Sequence, residues 1–222
     1  MRAITCMAAL ALLAVPSAAA AQGSGSGVYL GANIGANFLN DSEFDTAAVG
    51  EVDNDYDTGF ALSGQVGYDT GQLWQYGGLR AELELSYREN EIDQHAIAAL
   101  GGAQPDSTGT ASTTALLANL FHDFETGTPL TPYVGGGIGY AWSSLDNYGV
   151  RAAPNALDDE DAGFAWQLGA GLGYAVTERA TVSLDYRYFS TSADATSNVF
   201  SAVESEVDLD SHTVMLGLRY RF

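Results

Sequence analysis

From Val28 the chain alternates strictly, with Val28, Leu30, Ala32, Ile34, Ala36 and Phe38 on one parity and Tyr29, Gly31, Asn33, Gly35 and Asn37 on the other. An apolar face opposed by a small or polar one predicts a strand lying between two unlike environments. The period returns in Phe60, Leu62, Val66 and Tyr68, which oppose Ala61, Ser63, Gln65 and Gly67. Leu79, Ala81, Leu83, Leu85 and Tyr87 then oppose Arg80, Glu82, Glu84, Ser86 and Arg88. Leu116, Ala118, Leu120 and Phe124 oppose Asn119 and Asp123, with His122 the one polar member of the apolar parity. Val134, Ile138, Tyr140 and Trp142 mark a fifth strand, and Phe164, Trp166, Leu168, Ala170, Leu172 and Tyr174 a sixth. A seventh places Val182, Leu184, Tyr186 and Tyr188 against Ser183, Asp185 and Arg187; an eighth places Val214, Leu216, Leu218, Tyr220 and Phe222 against Thr213, Met215, Gly217, Arg219 and Arg221.

The non-apolar parity is dominated by Gly, Ala, Ser and Asn with a few charges. That composition suits a crowded interior better than the solvated face of a soluble sandwich. The apolar parity then faces lipid. Long links at 39–57, 89–111, 143–161 and 192–209 alternate with short ones at 69–77, 125–130 and 176–179. Long loops at one end and short turns at the other are the habit of outer-membrane barrels. Aromatic placement agrees: on the lipid parity Phe38, Phe60, Tyr87, Trp142, Phe164 and Tyr188 lie beside the long links, and Tyr68, Phe124, Tyr174, Tyr220 and Phe222 beside the short ones or the end. Two interfacial girdles result. The predicted fold is all-β, an eight-stranded antiparallel up-and-down transmembrane β-barrel spanning residues 22–222.

Residues 1–21 read differently. Arg2, an apolar stretch from Ala3 to Val15, and Ala19-Ala20-Ala21 predict a cleaved secretory signal peptide. Cleavage removes Cys6, the single Cys, so no disulfide or thiolate site is expected afterwards. The net charge of −20, with 8 basic residues that are all Arg, excludes nucleic acid as a partner.

The stretch Thr131-Pro132-Tyr133-Val134-Gly135-Gly136-Gly137-Ile138-Gly139-Tyr140, the strand Val182 to Tyr188 and the closing His212 to Phe222 resemble the small outer-membrane β-barrel proteins of Gram-negative bacteria, a family that includes the OmpA transmembrane domain and surface-antigen, porin-family barrels. The resemblance implies residence in the cell outer membrane, contact with its lipid and lipopolysaccharide, and a C-terminal aromatic signal, Tyr220 and Phe222, read by the barrel-assembly machinery. Because the sequence stops at Phe222, no peptidoglycan-binding domain is expected to follow.

The chemistry divides between lumen and loops. Arg80, Glu82, Glu84, Arg88, Asp123, Asp185, Arg187, Arg219 and Arg221 share the inward parity. They form either a packed salt-bridge network tying the third, seventh and eighth strands or the lining of a small cation-preferring channel. Most of the 28 carboxylates fall in the four long links, which makes the outer face anionic. Weak Ca²⁺ or Mg²⁺ association is expected there, with Asp53, Asp55, Asp57 and Asp158, Asp159, Glu160, Asp161 as candidate ligands. Asp53 opens like an EF-hand loop, but Thr58 stands where Gly is needed and Gly64 where Glu is needed. No other cofactor is expected. Gly135-x-Gly137 and Gly169-x-Gly171 each reach a Tyr where a dinucleotide loop needs Gly.

No catalytic set stands out, so the chain is read as a non-enzyme. A membrane hydrolase or acyl-group enzyme is the remote alternative, with His212 beside Ser211 its best pair and His95 and His122 far from it. The expected role is structural, or recognition of an extracellular ligand through the links 39–57, 89–111, 143–161 and 192–209.

Overall fold

The computed structural model describes residues 26–40, 42–46, 50–73, 77–97, 102–104, 108–150, 153–196 and 204–222, and the side chains of 26–40, 57–73, 77–91, 110–144, 162–191 and 209–222. The expected signal peptide, residues 1–21, lies outside the described residues. The described residues form eleven strands: β1 (Gly27–Leu39), β2 (Ser42–Thr46), β3 (Gly50–Tyr56), β4 (Gly59–Asp69), β5 (Gly77–Ile97), β6 (Gly102–Gln104), β7 (Thr108–Phe124), β8 (Leu130–Val150), β9 (Ala153–Ala175), β10 (Ala180–Thr196) and β11 (Glu204–Arg221). Eight of them, β1, β4, β5, β7, β8, β9, β10 and β11, pair antiparallel in a ring. The ring closes where β1 meets β11, with Tyr29 opposite Arg221 and Leu39 opposite Ser211.

Closure follows from the alternation. Ile34 is 61% exposed while Asn33 beside it is 5% exposed, so the apolar residues point outward and the polar ones inward. In water this would be inside out; in hydrocarbon it is the only stable arrangement, because a closed ladder leaves no strand edge unpaired. Outward aromatics collect at the two ends. Phe60 and Tyr87 pair at 5.9 Å near the long links, and Tyr220 and Phe222 at 5.5 Å near the short turns. The short turns carry their own local chemistry. Asp69 Oδ1 accepts from the Gly71 amide at 2.8 Å, and Gly71 sits at φ 64°, a left-handed conformation suited to glycine.

The long links differ from expectation. Residues 39–57, 89–111, 143–161 and 192–209 are mostly strand, because β5, β7, β8, β9, β10 and β11 run on past the apolar band and β2 and β3 fill the first link. Beyond β4, β3 takes over as the partner of β5, with Val52 opposite Ile97. β8 and β9 stay paired as far as Val150 opposite Ala153. Outside lipid the backbone groups still need partners, and extending a ladder already formed supplies them. The links are therefore tall hairpins. One end of the barrel carries these hairpins and the other the short turns.

Leu83 is outward, half-exposed and in the middle of the apolar segment of β5. Leu83→Arg is expected to destabilise the barrel by about 2–4 kcal/mol, as for a charge at the bilayer midplane. Gln72→Arg, on an exposed turn, is expected to leave stability unchanged. Urea unfolding of protein inserted in vesicles measures both.

Candidate functional site

The inward side chains fill the barrel in tiers, starting at the turn end. Arg80 of β5 pairs with Glu82 and with Asp123 of β7, its Nε 3.1 Å from Asp123 Oδ2. Its guanidinium lies 4.8 Å from the ring centres of Phe121 and Tyr133. Arg219 of β11 approaches the same Asp123 at 3.9 Å, and the Tyr29 hydroxyl donates to Glu82 at 2.5 Å. Five strands thus meet around one cluster.

In the middle tier Arg187 of β10 pairs with Glu84 and lies 3.6 Å from Asp185. Asn119 donates to Glu84 at 2.9 Å, Gln167 donates to Asn119 at 2.8 Å, and the Tyr133 hydroxyl donates to Asp185 at 2.6 Å. At the hairpin end Asn37, Asn90 and Thr213 are joined by hydrogen bonds, and Phe189 packs with Ala115, Leu117, Ala141 and Ala165. Buried charges this deep are stable only when paired and hydrogen-bonded, and Arg80 and Arg187 are both.

Two charges assigned to this network stand apart. Arg221 donates through Nη2 to the Glu178 carbonyl of a turn at 2.8 Å, so it belongs to the rim. Arg88 faces inward but meets Ser86 Oγ at 3.0 Å and the Phe189 ring at 3.9 Å, and no carboxylate ion-pairs with it among the described residues. Tyr29, Tyr133, Asn119, Gln167, Phe121 and Phe189 were not singled out from the sequence. Parity carried the signal: Tyr133 alternates with Val134 and Phe121 with Leu120, but an inward aromatic looks the same in sequence as an outward one.

The space for these side chains comes from glycine. β8 and β9 turn Gly135, Gly137, Gly139, Gly169, Gly171 and Gly173 inward. A Cβ on Gly137 would lie 1.9 Å from Asn119 Oδ1, and one on Gly171 2.5 Å from the Tyr133 hydroxyl. The large residues of the other strands occupy the volume these positions leave free.

Elsewhere the candidates separate. Ser211 is buried in the lumen, whereas His212, its neighbour in β11, faces outward with Nδ1 2.7 Å from the Tyr186 hydroxyl. The proposed hydrolase pair is therefore split across the barrel wall. His122 also faces outward, its Nδ1 3.1 Å from the Gly78 carbonyl. The side chains of His95, Asp53, Asp55, Asp158, Asp159, Glu160 and Asp161 lie outside the described residues; Asp57 is exposed. Phe222 is exposed at the turn end, its amide donating to the Val28 carbonyl at 3.1 Å.

The sequence pattern of the outer membrane protein beta-barrel domain matches residues 7–222. The chain belongs to this outer-membrane β-barrel family. Its relatives include the outer membrane protein PagN of Salmonella typhimurium, 27% identical over 173 residues, which cover 71% of this chain and 70% of PagN. An uncharacterised protein of Brucella abortus is 26% identical over 246 residues, with 89% and 85% covered. Among solved structures, Neisserial surface protein A superposes with a TM-score of 0.54 at 19% identity, over 89% of this chain and 99% of that one. The outer-membrane barrel is thus oriented, with short turns in the periplasm and tall hairpins outside the cell.

Removing one partner of the central pair should be costly. Arg187→Met is expected to lower unfolding free energy by about 3–5 kcal/mol, and Arg187→Met with Glu84→Leu to recover much of it. Gly137→Ala is expected to cost about 1–3 kcal/mol by overpacking. Gly64→Ala, with no atom within 4 Å of the added Cβ, is expected to be neutral. Denaturant unfolding of the refolded barrel reads all four.

Proposed function

We propose that this outer-membrane barrel is sealed and non-catalytic, and that it serves the envelope as a structural and surface-interacting protein. The observation that carries this reading is the filled lumen. A periplasmic vestibule of about 200 Å³ and a cavity of about 30 Å³ at the outer end share no lining residue. Between them Leu117, Glu84, Asn119, Phe121, Gln167 and Arg187 are all buried. Eight-stranded barrels are just wide enough for side chains to fill, and here the arginines and aromatics do so. The rival reading, a small cation channel, needs a continuous wet path through that plug. The split of Ser211 from His212 argues against hydrolysis at that pair.

Surface interaction falls to the outer hairpins. Their register sets Glu43 opposite Asp53, Asp45 opposite Glu51, and Asp194 opposite Glu206. Like charges directly opposite each other weaken a ladder. Ca²⁺ or Mg²⁺ would relieve that repulsion and bridge the hairpins to anionic lipopolysaccharide, with Asp53, Asp55, Asp57, Asp158, Asp159, Glu160 and Asp161 as the candidate ligands. An extracellular ligand would meet the same hairpins, and Tyr220 with Phe222 would be presented to the assembly machinery from the opposite end.

Planar-bilayer recording of the refolded barrel tests the sealed lumen. Silence from protein shown to be folded by a heat-dependent gel shift is the expected result. Discrete cation-selective openings altered by Glu84→Gln would establish the channel instead.

A further inference from the structure

The cavity at the outer end of the lumen is chemically unlike the rest of the protein. In a chain of net charge −20, its lining among the described residues contains Arg88 and no Asp or Glu. The remaining lining groups are neutral, among them Asn37, Asn90, Thr113, Phe189 and Ser211. We propose that this cavity binds one small monovalent inorganic anion of the halide class, held by the Arg88 guanidinium and the Ser211 hydroxyl.

Two unpartnered buried groups point to the ligand. Arg88 is 4% exposed, and its Nε has no hydrogen-bond partner. Ser211 is 1% exposed, and its Oγ has none either. Both line the same cavity. The Phe189 ring and Ser86 Oγ satisfy part of the guanidinium but supply no negative charge. Glu84 and Arg187 act on Arg88 with opposite signs, and the bonded oxygen of Glu84 is already held by Arg187 and Asn119.

Arg80 and Arg187, the other buried arginines, each have two carboxylates. Arg88 has a cavity in their place. An uncompensated buried cation costs far more than a missing hydrogen bond, so a charged occupant stabilises the site where water would only solvate it. Size and field narrow the class. The cavity is small, about 30 Å³, which favours a compact ion over a sugar phosphate. The acidic hairpins above disfavour multivalent anions, and a monovalent halide is repelled least.

The test is thermal unfolding of the refolded barrel in detergent micelles, with sodium chloride exchanged for sodium isethionate at constant ionic strength. The midpoint is expected to rise saturably with chloride. Ser211→Ala is expected to raise the half-saturating chloride concentration about tenfold, the worth of one charge-assisted hydrogen bond. Arg88→Met, if it folds, is expected to abolish the response. Equal midpoints in the two salts, a chloride response retained in folded Arg88→Met, or an unchanged half-saturation in Ser211→Ala would each overturn the site. Crystals grown in sodium bromide supply an independent reading: an anomalous peak beside Arg88 supports it, and an ordered water with no anomalous signal overturns it.

Discussion

Hydrocarbon offers no partner for a backbone amide or carbonyl, and from that constraint the rest of the protein follows. A chain that crosses lipid in strands must close on itself, and here β1 and β11, the first and last strands, meet in register from Tyr29–Arg221 to Leu39–Ser211. Closure with eight strands makes the interior narrow. A narrow interior forces every inward residue to be either small or matched to a neighbour. The glycines of β8 and β9 and the arginines of β5, β10 and β11 are the two halves of that solution, one wall rich in glycine and the others carrying long side chains.

The charges inside are therefore better understood as contents than as a lining. Arg80 ties Glu82 to Asp123 of the neighbouring strand, and Arg187 of β10 ties Asp185 to Glu84 of β5, two strands that the ladder does not pair. Aromatic rings from Phe121 and Tyr133 fill the volume between the guanidinium groups and exclude water. Low dielectric strengthens such pairs and makes their loss severe. Acidity, by contrast, is concentrated outside lipid, on hairpins that tolerate it because water screens them.

The alternation from Val28 to Phe38 is legible because lipid and lumen impose opposite demands on successive residues. Above the bilayer both faces of a strand meet water, the alternation disappears, and so β2, β3 and the upper parts of β8 and β9 read as loops although their backbones are paired. Arg80, Glu82, Glu84 and Arg187 could be placed inward from parity alone. Their pairing could not, since Glu84 and Arg187 are brought together by the curvature of the whole barrel. Phe121 and Phe189 were hidden for a simpler reason: an apolar residue on the inward parity weakens the very pattern used to find the strand. Ser211 and His212 show the converse, where neighbours in sequence are held on opposite sides of a wall.

The pair between Arg187 and Glu84 joins positions 103 residues apart, and the hydrogen bond from Thr213 to Asn37 spans 176. No hairpin, and no run of two or three hairpins, can satisfy these groups by itself. Until the sheet curves closed, Arg187 and Glu84 are not brought together, and the inward charges have no wall to shield them from lipid. Long-range contacts of this kind delay the energetic return of folding until late in the process. Partly inserted sheets are correspondingly poor resting states, and the barrel forms its interior and its closure as one cooperative event.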